Sequence, residues 1–535
     1  QIMPIAVIGM SGRFPDAANV NEYWDNLRNG RSSIKSFPKE RGCDIEEYYD
    51  PRKKQPGKTY VRKAGLIDEI DKFDPLFFKL SPNEASYIDP SERIFMEETW
   101  KAIEDAGYNP KKISGKLWGV FCCAKGDYSE KIVMEKENEF YNPTNSFAGS
   151  RISYFLNLTG PSIFYDTACS STLAAIEEAC NSLVLGNCEV AIAGGGGICS
   201  TPSMLISSSQ SLLFSTDEKC YSFDERANGT VLGEAIGAVI LKPLDKAVED
   251  KNHIYGVICG WGMNQDGKTN GITAPSMMAQ MNLQKQIYDK FGISPEDITM
   301  VEAHGTGTKL GDTIEFDALN HTFTSYTNKK RFCSLGTAKP NIGHAFFGAG
   351  IASVIKVLLS IKNRQIPPMI NYEKSNPKID IDNSPFYITN KLVNWERQDN
   401  KPLCCAINAF GATGTNVHLV IKEYIDDTLI QAHEYSDNEC AVFFLSAENE
   451  EVLHDHAKEY IDAINKKYLS CVDIFNLSYT TKYAREDMKY RLGIVFNSLD
   501  DLRKKLEDFE FGISSEAIYF DKSEPMKYLS ETSEG

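Results

Sequence analysis

The stretch SIFYDTACSSTLAAIEEACNSLVLGNCEVAIAGGGG, residues 162–197, decides how the chain is read. An apolar run (SIFYDTA) ends in a turn, STLAAIEEACNSLV follows, and a second apolar run (VAIAGGG) closes the unit. In the middle segment Leu173, Ile176, Cys180 and Leu183 recur at intervals of three, four and three residues, on one face of a helix. The flanking runs are short and bounded by turn residues, so they read as buried strands. Strand, helix and strand in succession predict a layered α/β core.

The same grammar extends in both directions. IAVIGM near the start reads as a buried strand; residues 82–107 read as helical, interrupted by Pro90 and stopped by Gly107. WGVFCCA is strand-like and FAGSRISYFLNL helical. Further on, ITMVEAHG, RFCSLGTA, CCAINAFG and NVHLVIKEY read as strands, DTIEFDALNHTF and GAGIASVIKVLLSIK as helices. The two halves resemble each other enough to suggest an internal duplication. After Tyr424 the texture changes: a polar, acidic segment precedes AVFFLSA, and RLGIVFNSLDDLRKKLEDF reads as strand, capped turn and amphipathic helix. We therefore expect a main domain over 1–424, a smaller α/β subdomain over 425–521, and a charged linker tail over 522–535.

Composition narrows the function. Of 535 residues, 42% are hydrophobic and 24% charged, as in globular proteins. A net charge of −17 with no long basic run argues against nucleic acid as a partner. The 14 cysteines show no CxxC or Cys/His cluster, so no metal site is expected. Several lie in apolar runs, which suits a reducing, cytoplasmic compartment. No run reaches eighteen continuous apolar residues, and no membrane span is expected.

Cys169 sits where a strand turns into a helix, and there free N–H groups and the helix dipole favour a thiolate. Read alone, it is either a buried structural thiol or a nucleophile approached between small neighbours. Two of only eight histidines, His304 (EAHGTGT) and His344 (KPNIGHAFFGAG), occupy Gly-rich turns after strands, which fits a thiol with imidazole partners. AGGGG lacks the Lys-Ser/Thr of a P-loop and reads as a close backbone contact. Asp312 and Glu315 are either acid/base groups or helix-start charges.

Together these segments resemble the ketosynthase domains of modular bacterial polyketide synthases, in the β-ketoacyl condensing-enzyme family. The resemblance runs over 3–423: IAVIGMSGRFPDA, DPSERIFMEETWKAIEDAGY, DTACSSTLAAIEEA, FDERANGTVLGEAIGAVILKPL, NQDGKTNGITAPS, VEAHGTGTKLGD, NIGHAFFGAGIASVIKVLL and FGATGTNVHLV. It implies a thiolase-like fold, a duplicated half in α-β-α-β-α layers, with a flanking α/β subdomain. It implies decarboxylative condensation of a Cys169-bound acyl chain with malonyl-acyl carrier protein. Cys169 matches the acyl-accepting nucleophile, and His304 and His344 the pair that drives decarboxylation. Lys339 matches a supporting lysine, with Glu315 as its acidic partner. Thr306 and Thr308 match contacts to the phosphopantetheine arm, which the carrier supplies, so no bound cofactor is expected. The backbone N–H groups of Cys169 and Ala412 match the oxyanion hole. Phe214, Phe346, Phe410, Ala412 and Thr413 are expected to line or gate the acyl pocket. Homodimerisation and neighbouring synthase domains are implied too, and the residues from about 440 to 521 resemble the linker subdomain of synthases whose acyltransferase acts in trans.

The chain departs from the family pattern at Ala412, usually Phe, and at Thr413, usually Gly or Ser. It also has Phe346 for Glu or Gln, Ser91 for Gln and Ala235 for Gly. Ala412 suggests a less obstructed entrance that tolerates bulky or branched chains. The competing reading is a non-elongating ketosynthase or a structural partner; the retained Cys169 and His304 argue against it. A thiolase-type or papain-like enzyme fits the motifs less well.

Overall fold

The Ser162–Gly197 stretch folds as strand, turn, helix and strand, with the first strand confined to Ser162–Phe164. In the computed structural model, residues 2–135, 145–426, 439–470 and 472–522 are described. The AGGGG segment lies between two neighbouring strands, and its glycines are required by contact. A Cβ on Gly194, Gly195 or Gly196 would lie 2.2, 2.2 and 1.8 Å from the carbonyl oxygens of Gly237, Cys123 and Ala235.

An eleven-stranded sheet organises the larger unit. Its strands are β1 (Ile5–Arg13), β2 (Trp118–Ala124), β3 (Ser162–Phe164), β4 (Val190–Gly197), β5 (Ala235–Pro243), β6 (Gly256–Gln265), β7 (Met300–Glu302), β8 (Cys333–Gly336), β9 (Phe386–Tyr387), β10 (Cys404–Phe410) and β11 (Thr415–Lys422). They run in the order β9-β8-β7-β10-β11-β6-β1-β5-β4-β2-β3. With β9 set aside, both sides show the same pattern. From the outside inward come the third, second, fourth, fifth and first strands of each half. The outer three are parallel and the inner two antiparallel, and β1 meets β6 antiparallel in the middle. The suspected duplication is therefore a repeated topology.

The principal helices are α1 (Pro90–Asp105), α2 (Phe147–Leu156), α3 (Ser171–Val184), α4 (Met277–Phe291), α5 (Lys309–Thr324) and α6 (Ala349–Asn363). Pro90 starts α1, with Asp89 capping the Ser91 N–H, because proline lacks the N–H that a first turn leaves unused. Alternate residues of β10 serve two cores. Cys405, Ile407 and Ala409 join α3 and α6, whereas Cys404 and Ala406 join α4 and α5. Helix α6 is buried all round from Ala349 to Ile361, as a middle layer must be. By length and apolarity Phe346–Asn363 also passes as a membrane span, but it is mostly buried in this core. With α1 against β1 and β5 on the other side, the layers run α-β-α-β-α.

Contacts divide the chain into Gln1–Ala106 with Gly115–Ile425, and Gly107–Ser114 with Asp426–Gly535. In the second unit β12 (Ala441–Ala447), β13 (Tyr490–Phe496) and β14 (Ile518–Asp521) form an antiparallel sheet. Helices α7 (Glu450–Asn465), α8 (Ile474–Tyr483) and α9 (Leu499–Glu510) accompany it, around Phe443, Leu453, Leu492, Ile494, Leu502 and Leu506. Ser498 caps α9 by accepting the Asp501 N–H. The excursion Gly107–Ser114 was not foreseen: Asn109 Nδ2 donates to the Arg485 carbonyl at 2.7 Å, and Lys111 pairs with Glu486. Locally those residues read only as a helix stop. Most of the polar segment after Tyr424 (427–438) and nearly all of the expected tail (523–535) lie outside the described residues.

Candidate active site

Between β3 and α3 the chain turns through Ala168 at φ +56°, a left-handed conformation that costs a non-glycine residue about 1–2 kcal/mol. The polar neighbours hold that turn. Thr167 N–H donates to Ser171 Oγ at 2.9 Å, Ser171 Oγ donates to the Ala168 carbonyl at 2.6 Å, and Ser170 Oγ donates to the Thr167 carbonyl at 3.0 Å. Cys169 emerges from it at the head of α3, 7% exposed. Thr172 ties this head to that of α6. Its hydroxyl donates to the Phe347 carbonyl at 2.7 Å and accepts the Ile351 N–H at 3.0 Å.

The loop between β10 and β11 lies on the same turn. A Cβ on Gly411 would sit 2.2 Å from the Thr167 carbonyl oxygen, so only glycine permits the approach. The next residue, Ala412, directs its N–H at the Cys169 sulfur. Burial nevertheless pushes the Cys169 thiol up to about 11, against the pull of the Ala412 N–H, Lys339 and its own N–H. The thiolate expected from the helix terminus is thus outweighed, and the resting group is a thiol. Among the described residues no hydrogen bond joins that thiol to an imidazole.

His304 follows β7 and His344 follows β8, and both are buried. Their rings stand perpendicular with centroids 5.3 Å apart. His304 Nδ1 accepts the Phe410 N–H at 3.4 Å, and His344 Nδ1 accepts the Phe346 N–H at 3.3 Å. A ring nitrogen that accepts carries no proton, so in each neutral ring the proton sits on Nε2. Burial, then the positive field of Lys339, holds both well below the ordinary histidine range.

Two carboxylates one helical turn apart on α5 pin the HGTGT loop. Glu315 accepts the N–H groups of His304 and Gly305, each at 2.8 Å, and Asn408 Nδ2 at 2.9 Å. Asp312 accepts Phe223 N–H at 2.7 Å and Gly307 N–H at 3.1 Å, while burial raises it to about 7. Glu315 therefore acts on Lys339 through its field, its oxygens being engaged by the loop. Lys339 is itself buried and its pKa lowered by that burial. A second buried pair escaped the sequence reading: Glu302 meets Lys356 Nζ at 2.6 Å and accepts the Ala338 N–H at 2.8 Å, next to Lys339. One acid ending an apolar strand and one lysine inside the apolar run VIKVLL were its available signal.

Thr306 and Thr308 lie half-buried with hydroxyls 3.2 Å apart, and Thr308 also caps α5 through the Gly311 N–H. Phe346 stacks on His344 at 4.6 Å and packs into the cluster that contains Phe214. Phe214 is 2% exposed and exchanges backbone hydrogen bonds with the Tyr60 hydroxyl. Phe410 lies 5.5 Å from the His304 ring, while Ala412 and Thr413 are exposed.

A repeated, five-layered α/β fold with a cysteine heading one buried helix and a histidine turn before the other is that of thiolase-like enzymes. Family models agree: β-ketoacyl synthase N-terminal domain over 3–247, its C-terminal domain over 255–373, and the ketoacyl-synthetase C-terminal extension over 375–493. Polyketide synthases PksL and PksM of Bacillus subtilis (strain 168) are each 42% identical, over 512 and 511 residues. These alignments cover 94% and 95% of this chain but 11% and 12% of those proteins, so it spans about a tenth of their length. The ketosynthase from module 6 of the Bacillus subtilis 168 bacillaene synthase superposes with a TM-score of 0.89 at 41% identity, covering 97% of this chain and 87% of that one. An oxazolomycin ketosynthase domain, OzmH KS7 of Streptomyces albus JA3453, gives 0.92 at 34% identity, covering 97% and 90%. The chain belongs to the β-ketoacyl synthase family and is a ketosynthase of the polyketide synthase type.

Proposed function

We propose that the protein catalyses decarboxylative Claisen condensation, joining an acyl chain held on Cys169 to a malonyl unit on an acyl carrier protein. The observation that carries this reading is the pair of buried imidazoles that share the field of Lys339 with Cys169, each anchored at Nδ1 by a backbone N–H and presenting Nε2–H. In the first stage the Cys169 sulfur attacks a thioester carbonyl and its proton passes to the departing pantetheine sulfur. The N–H groups of Cys169 and Ala412 face the developing oxyanion. The malonyl group then loses CO₂, and the electron pair of the broken bond enters an enolate. The enolate oxygen accepts hydrogen bonds from the Nε2–H groups of His304 and His344. Its carbon attacks the acyl carbonyl, the carbon–sulfur bond to Cys169 breaks, and the Cys169 thiolate takes a proton from solvent as the β-ketoacyl carrier leaves. Holding both acyl groups in one site supplies the advantage of proximity.

Burial, with the field of Lys339 added to it, keeps both imidazoles neutral, and Glu315 braces the His304 loop. Thr306 and Thr308 offer hydroxyls to the phosphopantetheine arm, which the carrier brings. Similarity to the bacillaene ketosynthases supports a place among neighbouring domains of a modular assembly line, charged by a separate acyltransferase. The free cysteines among the described residues suit the cytoplasm. A homodimer is supported by β3, an edge strand with Ile163 42% exposed, beside α2 with Tyr154 90% exposed.

The test is to load Cys169 from an acyl thioester and then add malonyl carrier protein. CO₂ release with formation of a β-ketoacyl thioester is expected. Acyl transfer to the carrier without CO₂ would instead make the protein a non-elongating ketosynthase.

A further inference from the structure

His418 lies in β11, fully buried and hydrogen-bonded at both ring nitrogens. Its Nδ1 is 2.6 Å from Asn408 Oδ1, and its Nε2 is 3.1 Å from the Tyr288 hydroxyl of α4. Burial lowers its pKa to about 3, so the ring is neutral. The direction of every bond in this chain follows from donor arithmetic. Asn408 Nδ2 faces the Glu315 carboxylate at 2.9 Å and must donate, which turns Oδ1 toward His418. His418 Nδ1 therefore carries the proton, Nε2 accepts, and the Tyr288 hydroxyl donates to it. Tyr288, His418 and Asn408 thus donate in sequence toward Glu315, which also receives the N–H groups of His304 and Gly305.

The geometry ties this chain to the tautomer of His304. Asn408 and His418 are direct cross-strand partners, and Asn408 precedes by two residues Phe410, whose N–H fixes His304 Nδ1 as an acceptor. Without a donor at His418 Nδ1, Asn408 Oδ1 is left buried and unpaired. The amide can then turn its oxygen toward Glu315, where two acceptors repel. Glu315 and the end of β10 would shift together, and both hold His304.

We infer that His418, acting through Asn408 and with Tyr288 behind it, is a positioning residue that keeps the His304 Nε2–H aimed for decarboxylation. The inference rests on the condensing reaction proposed above. Two polar substitutions of comparable tolerance in the core separate position from packing. His418→Asn puts an amide N–H where Nδ1 stood; His418→Gln moves it one methylene further out. With Cys169 pre-acylated, His418→Gln is expected to slow CO₂ release from malonyl carrier protein about tenfold to a hundredfold, as a displaced catalytic group does. His418→Asn should restore most of the rate. Acylation of Cys169, followed by mass spectrometry, should match wild type in both. Histidine-selective ¹⁵N NMR should show His304 as the Nε2–H tautomer in wild type and in His418→Asn, and a mixture in His418→Gln. Equal decarboxylation rates and spectra in the three proteins would overturn the inference, as would equal losses in both variants or parallel loss of acylation. If wild type releases no CO₂, the condensing reaction fails while the NMR comparison still decides the role of His418.

Discussion

Cys169 shows two effects opposing each other at one atom. The helix head and two N–H groups favour the thiolate, yet burial disfavours charge more strongly and raises the thiol to about 11. The amount of nucleophile therefore increases with pH throughout the range below that value, tenfold per unit. We expect the rate of Cys169 acylation to rise across roughly pH 6 to 9 without a plateau. The decarboxylation step needs neutral imidazoles, and His304 and His344 lose their extra proton well below the usual histidine range. On pre-acylated enzyme, CO₂ release should stay level over the same interval; an acid limb centred near an ordinary histidine value would contradict this. Ala412 makes the other prediction at this scale. It is exposed beside the nucleophile, so Ala412→Phe narrows the approach while keeping the N–H. Loading of bulky or branched acyl thioesters should fall about tenfold or more relative to acetyl. An unchanged order of preference across a panel of acyl sizes, read by mass spectrometry, would refute the open-entrance reading. Candidate residues for the site could be named because their motifs stand in one order along the chain. The protonation state of Cys169 was not, since it depends on burial by segments distant in sequence.

At the scale of elements, strand and helix positions followed from periodicity, but what joins them did not. Glu302 ends β7 and Lys356 lies inside α6, and their contact exists only because the sheet wraps the helix. Removing one partner strands a charge in the core. Lys356→Met should lower stability by about 3–5 kcal/mol, and adding Glu302→Gln should recover much of it. Denaturant unfolding of the single and double variants measures both. Additive losses would show that the two residues act separately. Among the described residues Lys339 has no direct ion pair, and the same Glu302 holds the backbone that leads into it. Glu302 grips the Ala338 N–H one residue before it.

At the scale of the molecule, the layered fold was legible from alternating elements, whereas the return of Gly107–Ser114 to the second unit was not, because no local pattern encodes a distant partner. The edge of the main sheet makes the prediction here. Among the described residues β3 is an edge strand with Ile163 on its surface, near Tyr154 and Phe147, which is 44% exposed. Light scattering should give twice the chain mass for wild type and a shift toward monomer for Ile163→Lys. A monomeric wild type at micromolar concentration would remove the dimer proposal. The repeated strand order has a consequence of a different kind. Cys169 and His344 occupy matching stations, each in the turn between the third strand of its half and the central helix that follows. A gene that doubled such a half would at first have carried the same turn twice, facing itself across the central helices. Divergence of the two copies leaves a cysteine in one turn and a histidine in the other.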